Sequence, residues 1–426
     1  MKHCVVIGGG VVGLTTAWAL LERGHRVTLV ERDAAVAAGA SHANGGQLSY
    51  RYVSPLADAG VPLKALRWLL DPDGPLRFKP LATPGWRVAQ WHWLLDFLRA
   101  CRGPVNRRMT ERLLALGAYS QTSFAQLQAA AGLSAERIAL RAPGKLVVYR
   151  KPEEFARVAA RVQAGGPERA LSFAECVALE PALGDGETAL AGGIFTEGEA
   201  VADCHAFCAA LYERLQQHGG FRGRLAATVR GFVRDAGGAV RGVQLAEQLA
   251  EGELAADAVV LAAGLHSRAL AAGVGVHLPL YPLKGYSLTA PISAGHRPPE
   301  VSVTDFERKI LYARIGHELR VAAMVDLVGD DTRLDPLRLA SLQRSVRATF
   351  PTAADYDRAT PWAGLRPATP SGAPIVGESG VPGLWLNVGH GALGFTFSFA
   401  TANIVAEQLS GQTSPLPPDG LSLAAA

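Results

Sequence analysis

The chain opens HCVVIGGGVVGLTTAW, and Gly8-Gly9-Gly10-Val11-Val12-Gly13 fits G-x-G-x-x-G between a β-branched run and an apolar helical pattern. The pattern predicts a strand over His3 to Ile7, a helix over Val11 to Arg23 and a second strand over Arg26 to Val30. In such a βαβ unit Gly8 allows the tight turn, Gly10 lets backbone approach a pyrophosphate, and Gly13 lets the helix pack on the strand. Glu31 ends the second strand 18 residues after Gly13, where a carboxylate can accept from ribose hydroxyls, with Arg32 beside it.

This fingerprint does not separate NAD from FAD. The next segment helps. Ser41, Ala43, Asn44, Gly45, Gly46, Gln47 and Leu48 belong to a small-residue, glycine-rich loop that suits an isoalloxazine laid against backbone, or is an ordinary loop. An NAD enzyme usually proceeds instead to another βα unit. Asp257 to Gly264 is a buried strand ending in Ala263 and Gly264, able to pass near a dinucleotide.

The length of 426 residues exceeds what one hydrophobic core organises, which favours two interlocked domains. A hydrophobic share of 49% with 19% charged residues excludes a disordered chain. Charge is 42 basic minus 38 acidic residues, or +4, too little for a nucleic-acid binder. It is unevenly spread: Lys64 to Arg108 holds nine basic and three acidic residues, +6, leaving −2 elsewhere. Five scattered cysteines fit neither a disulfide framework nor a zinc site, so no metal is expected. Lys2 and the apolar run to Leu21 resemble a signal peptide, but strand, turn and helix explain the same residues, and no cleavage is expected. No stretch has the apolar length of a membrane span.

Further along, 62–132 reads as helices broken by prolines, rich in tryptophan and basic residues. It is either an amphipathic surface for anionic lipid or a set of helices capping a domain. Asp203 is a plausible N-cap for a helix to His218. Residues 279–324 alternate as antiparallel strands, Asp335 to Phe350 is a helix, and Ala392 to Leu409 closes the fold. The expected architecture is α/β: a Rossmann-like dinucleotide-binding domain (1–60, 196–272, 360–426) interleaved with an α+β domain on a mainly antiparallel sheet (61–195, 273–359).

Two late clusters carry chemistry. Trp362-Ala363-Gly364-Leu365-Arg366-Pro367 presents an arginine whose planar fork can grip a carboxylate in two places, or can serve a structural salt bridge. Gly389-His390-Gly391-Ala392-Leu393-Gly394 precedes a helix, whose N-terminal amides favour negative charge on a reduced ring. Tyr52, Tyr286, Lys284 and His390 are second-tier pocket candidates beside the commoner reading of buried packing.

With VIGGGVVGLTTAW, ANGGQLS, GVPLKALRWLL, YPLKGYSLT, WAGLRPATPSGAPIVG and LWLNVGHGALGFT in place, the sequence resembles the D-amino acid oxidase superfamily of FAD oxidoreductases, nearest its bacterial D-amino acid dehydrogenases. The resemblance implies FAD on the N-terminal unit, with Val229 and the 262–264 turn beside it. Asn44 to Leu48 and Gly389 to Thr396 would surround the flavin ring. It implies Arg366 on the substrate carboxylate and Tyr312 as a substrate-contacting phenol, as in glycine-oxidase-like relatives. The implied reaction is hydride transfer from Cα of a D-amino acid to flavin N5, then hydrolysis to an oxo acid and ammonia. Electrons would pass to a membrane quinone or another partner, from a cytoplasmic protein peripheral on the inner membrane face. Oxidation of D-proline, hydroxyproline, sarcosine or glycine, a peroxide-forming oxidase, and a non-catalytic NAD- or flavin-binding module are the alternatives. His42 stands where some related amine dehydrogenases attach flavin covalently, against a non-covalent reading. Ala322-Ala323 replaces a usual Gly-Gly pair.

Overall fold

The computed structural model describes residues 1–426 except 81, 82, 187, 188, 247–251, 418 and 426. The opening βαβ unit forms as its pattern predicts: strand His3–Ile7, helix Val11–Glu22 and strand Arg26–Glu31. Both strands are buried on each face, which is why they carry continuous apolar runs rather than alternation. They sit in a six-stranded sheet ordered Ile375–Glu378, Leu384–Val388, Ala258–Leu261, His3–Ile7, Arg26–Glu31, Phe221–Ala226. All neighbours are parallel except the Ile375–Glu378 edge.

One face of this sheet is covered by the helices Val11–Glu22, Gly394–Leu409 and Cys204–Gln217, whose Leu14, Phe207, Phe397 and Ile404 share one core. The Asp203 carboxylate accepts from the Ala206 amide at 2.9 Å and caps the last of these helices. A three-stranded antiparallel sheet, Thr228–Arg234, Val240–Ala246 and Gly252–Ala255, covers the other face.

The second large sheet has nine strands. Its order is Thr360–Ala368, Tyr281–Pro291, Glu318–Leu327, Ile310–Ile315, Ser302–Asp305, Lys145–Tyr149, Gly192–Thr196 and Glu168–Ser172, with Leu76–Phe78 beside Glu318–Leu327. Pairing is antiparallel except for Ser302–Asp305 on Lys145–Tyr149 and Leu76–Phe78 on Glu318–Leu327.

Two segments lie apart from their expected domains. Thr360–Ala368, assigned to the dinucleotide unit, is a strand of the second sheet because its whole length pairs with Tyr281–Pro291. Within 62–132 the long helix Gly103–Ala130 packs on the dinucleotide side: Met109, Leu113, Leu116 and Phe124 join the core around Gly394–Leu409, and Ser120 Oγ donates to Thr396 O at 2.5 Å. The tryptophans divide. Trp93 donates from Nε1 to Ala368 O at 2.9 Å and Trp86 packs edge-on against Tyr281, whereas Trp91 is half exposed.

Candidate active site

A cavity of about 1590 Å³ lies between the two sheets. At one end it is lined by Gly8, Gly10, Val11, Val12, Glu31, Arg32, Val229, Ala263 and Gly264. Gly8 holds φ +110°, and a Cβ there would meet Ala262 O at 2.5 Å. The turn is therefore shaped by the absence of side chains. Ser41 Oγ accepts from Val11 N at 3.0 Å, while Glu31 accepts from Gly9 N at 2.5 Å and Asp33 N at 2.9 Å. Arg32 contacts His266 through a short nitrogen pair, a geometry that needs the imidazole neutral, as its burial and Arg32 favour.

The cavity then passes Ala43, Asn44, Gly45, Gly46 and Gln47 on one side and Gly389, His390, Gly391, Ala392, Leu393 and Gly394 on the other. The 43–47 segment lies across the second sheet. Ser287 Oγ donates to Ala43 O at 2.8 Å, Arg320 Nη1 to Asn44 O at 2.9 Å and Gln47 Nε2 to Ser302 Oγ at 2.5 Å. A Cβ on Gly45 would stand 3.1 Å from Leu311 Cδ1 and 3.4 Å from the Ala322 methyl, so these two side chains lie beneath this loop. Buried Asn387 borders the same space with its Oδ1 unpartnered.

At the far end the pairing register displays one sheet face to the cavity. Val147, Thr304, Leu311, Ala322, Ser287 and Trp362 form a row across six strands. Met324, Gly285 and Gly364 line the cavity beyond this row. Met324 holds φ +68° beside a register shift, a bulge that frees its carbonyl from the ladder. Arg366 Nη1 donates to that carbonyl at 2.9 Å. Its guanidinium lies across Gly285, where any Cβ would occupy the same space. Among the described residues no carboxylate stands within ion-pair distance of it. Burial lowers its pKa to about 10 against the field of Asp326, which leaves it charged at neutral pH. Arg366 is therefore no structural salt bridge; it is a cation held over a glycine floor and open to the cavity.

Several expected residues stand elsewhere or are engaged in packing. Tyr312 points away: it is wholly buried against Phe350 on the opposite face of its strand, while its neighbour Leu311 faces the cavity. Tyr286 borders the cavity, but its ring belongs to the same apolar layer as Tyr312. The His390 ring is tied to Thr401 Oγ1 at 3.0 Å and burial takes its pKa down to about 3, so it is a neutral packing group. Gly13 lies under the Gly8 carbonyl, Leu48 is core, and Thr396 Oγ1 accepts from Ser49 N at 3.1 Å, so these three support the lining without joining it. His42 is exposed, packs on His205 and Trp362, and does not line the cavity.

Lys145 and Tyr52 complete this end. Tyr52 is 39% exposed, and that exposed surface faces the cavity. Lys145 is buried, donates to Gln47 Oε1 at 2.7 Å and Ser49 Oγ at 2.9 Å, and lies 4.2 Å from the Tyr52 ring centroid. The sequence signalled it only as a charge opening an apolar run, KLVVY. Burial lowers its pKa to about 7 against the field of Glu199. An unfolded lysine titrates at about 10.4, so between about pH 7 and 10 the unfolded chain holds a proton that the folded chain releases, and stability rises with pH there. Lys145→Met is expected to flatten that rise when Tm is compared at about pH 7, 8 and 9; equal slopes in both proteins contradict it.

The family model for FAD-dependent oxidoreductases (DAO) matches residues 3–408. The chain belongs to the DAO family of FAD-dependent oxidoreductases. It is 51% identical over 420 residues to the D-amino acid dehydrogenase 2 of Pseudomonas aeruginosa, covering 99% of this chain and 98% of that one. It is 47% identical to the D-amino acid dehydrogenase 2 of Ralstonia nicotianae, covering 95% and 96%. Among solved structures, glycine oxidase from Geobacillus kaustophilus superposes with a TM-score of 0.73 at 22% identity, covering 99% of each chain. The cavity fits the family's cofactor in three respects: the side-chain-free turn at Gly8, the orphaned Asn387 oxygen, and a volume continuous from that turn to Arg366.

Proposed function

We propose that this enzyme oxidises D-amino acids to imino acids, which water converts to 2-oxo acids and ammonia, and that it acts as a dehydrogenase rather than an oxidase. The uncompensated guanidinium of Arg366, facing a cavity floored by Gly285, carries this reading. The names of the relatives above supply the stereochemistry and the dehydrogenase class. Bound FAD would supply the acceptor for the two electrons that leave with the Cα hydrogen.

The chain's own part is positional. Gly8, Gly10 and the first-turn amides after them would hold the pyrophosphate, and Asn44 to Gln47 with Gly389 to Gly394 would border the ring. Arg366 grips the substrate carboxylate with its two outward N–H edges while Met324 O fixes its orientation. The substrate enters with a neutral amine, so that after the Cα–H bond breaks, the nitrogen lone pair forms the C=N bond and one N–H proton leaves to water. Anaerobic addition of D-alanine should bleach the flavin and L-alanine should not. Bleaching by L-alanine alone, or by no D-amino acid, overturns the reading.

A membrane quinone is the acceptor this surface suits. The helix Val61–Leu70 exposes Leu63, Leu66 and Leu70 together with Arg67, and its Val61, Lys64, Arg67 and Trp68 border the cavity mouth. Val88 and Trp91 on the helix Arg87–Ala100 add exposed apolar surface. Among the described residues no helix is long and apolar enough to cross a membrane, so contact would be lateral. The protein is expected to sediment with phosphatidylglycerol vesicles at low salt, and Leu63→Ser with Leu66→Ser to lose most of that binding. Recovery of the wild-type protein in the supernatant contradicts it.

A further inference from the structure

Arg366 is not the only cation on this cavity that, among the described residues, forms no ion pair with a carboxylate. Lys309 lies in the turn before strand Ile310–Ile315 and holds φ +55°. Since Ile310 pairs with Ala323, Lys309 stands beside Met324, whose carbonyl receives Arg366 Nη1. The guanidinium over Gly285 and the Lys309 backbone are thus two strands apart, on the order of 10 Å.

The acids near Lys309 are engaged by other groups. Glu154 pairs with Lys64 and Arg157, Asp305 pairs with Arg150, and Glu307 accepts from the Arg150 and Lys151 amides. Lys309 Nζ keeps the Phe306 ring, 3.8 Å from its centroid, and burial, with the charge of Lys64 acting in the same direction, lowers its pKa to about 8 even with these acids around it. Thr304 is its diagonal neighbour on the same wall, 8% exposed, with Oγ1 unpartnered. A buried ammonium that no carboxylate of the described residues pairs, on one wall with an orphaned hydroxyl, is costly unless a ligand completes both.

We propose that Lys309 and Thr304 form the side-chain subsite of this cavity and select D-amino acids whose side chain ends in a carboxylate, of aspartate or glutamate length. The proposal rests on the D-amino acid reading above. With the α-carboxylate on Arg366, a four- or five-carbon backbone brings the second carboxylate to the ammonium, while Thr304 donates its hydroxyl hydrogen to the same group.

Glutarate and its monoamide, titrated into the holoenzyme and followed by the flavin spectrum, differ only at that end. Glutarate should bind about tenfold tighter or better, and kcat/KM should favour D-glutamate over D-glutamine by a similar factor. Lys309→Met should abolish both preferences, Lys309→Arg should restore part of them, and Thr304→Val should weaken glutarate severalfold should the lysine variant fail to fold. Equal binding of the two probes by the wild type, a preference that survives Lys309→Met, or a loss shared equally by D-alanine and D-glutamate overturns the subsite. Failure of every D-amino acid to bleach the flavin overturns the D-amino acid reading instead, and the glutarate ratio still decides the anion site.

Discussion

Arg366→Ala is expected to lower kcat/KM for a D-amino acid by about 10²- to 10³-fold, the loss of two charge-assisted hydrogen bonds to the carboxylate at roughly 1.5–3 kcal/mol each, less some overlap. Both KM and kcat should suffer, because the same grip binds the substrate and aims its Cα hydrogen. Flavin content should stay near wild type, since Arg366 stands on the second sheet, away from the Gly8 turn, and its side-chain hydrogen-bond partner among the described residues is the Met324 carbonyl. Arg366→Lys should recover little, because an ammonium cannot present the planar fork. Near-normal kinetics for the alanine variant, at full flavin content, removes the arginine from substrate binding.

Gly13→Val should have an effect of similar size on the cofactor. A Cβ at Gly13 would fall on the Gly8 carbonyl oxygen, and both belong to backbone that the strand His3–Ile7 and the helix Val11–Glu22 hold in place. The helix must move off the strand, which costs about 1–3 kcal/mol by the usual measure of overpacking and displaces the turn that would receive the pyrophosphate. The purified variant should be nearly colourless and should melt several degrees lower than wild type. Gly219→Ala, where an added Cβ meets nothing within 4 Å, should remain yellow with an unchanged Tm. A fully yellow Gly13→Val protein contradicts the assignment of the turn.

What could be read from the chain divides by range. The opening βαβ unit and the Asp203 cap are local, so their residue types alone determine them: apolar runs make the strands, glycines make the turn, and a short carboxylate at the helix start finds the Ala206 amide. Arg366 was legible because its GLRP context places a fork beside small residues. Tyr312 was misplaced for a physical reason: with a side-chain period of two, neighbours Leu311 and Tyr312 face opposite sides, and nothing local says which side holds the cavity. Lys145 and Lys309 depend on contacts across strands distant in sequence, with Gln47 and Ser49 for the first and Met324 for the second. The positive φ of Met324 had no signal at all, since a glycine would have advertised it and a methionine does not. Thr360–Ala368 joined the second sheet because strand pairing with Tyr281–Pro291 outweighed its nearness in sequence to the closing helix.

The most direct test of the account is a structure of the holoenzyme with a non-reacting carboxylate such as glutarate in the cavity. It should show two carboxylate oxygens on the Arg366 guanidinium, above Gly285, with the ligand lying between that group and the flavin ring. A carboxylate bound elsewhere, with Arg366 still engaged only by Met324 O, would contradict it.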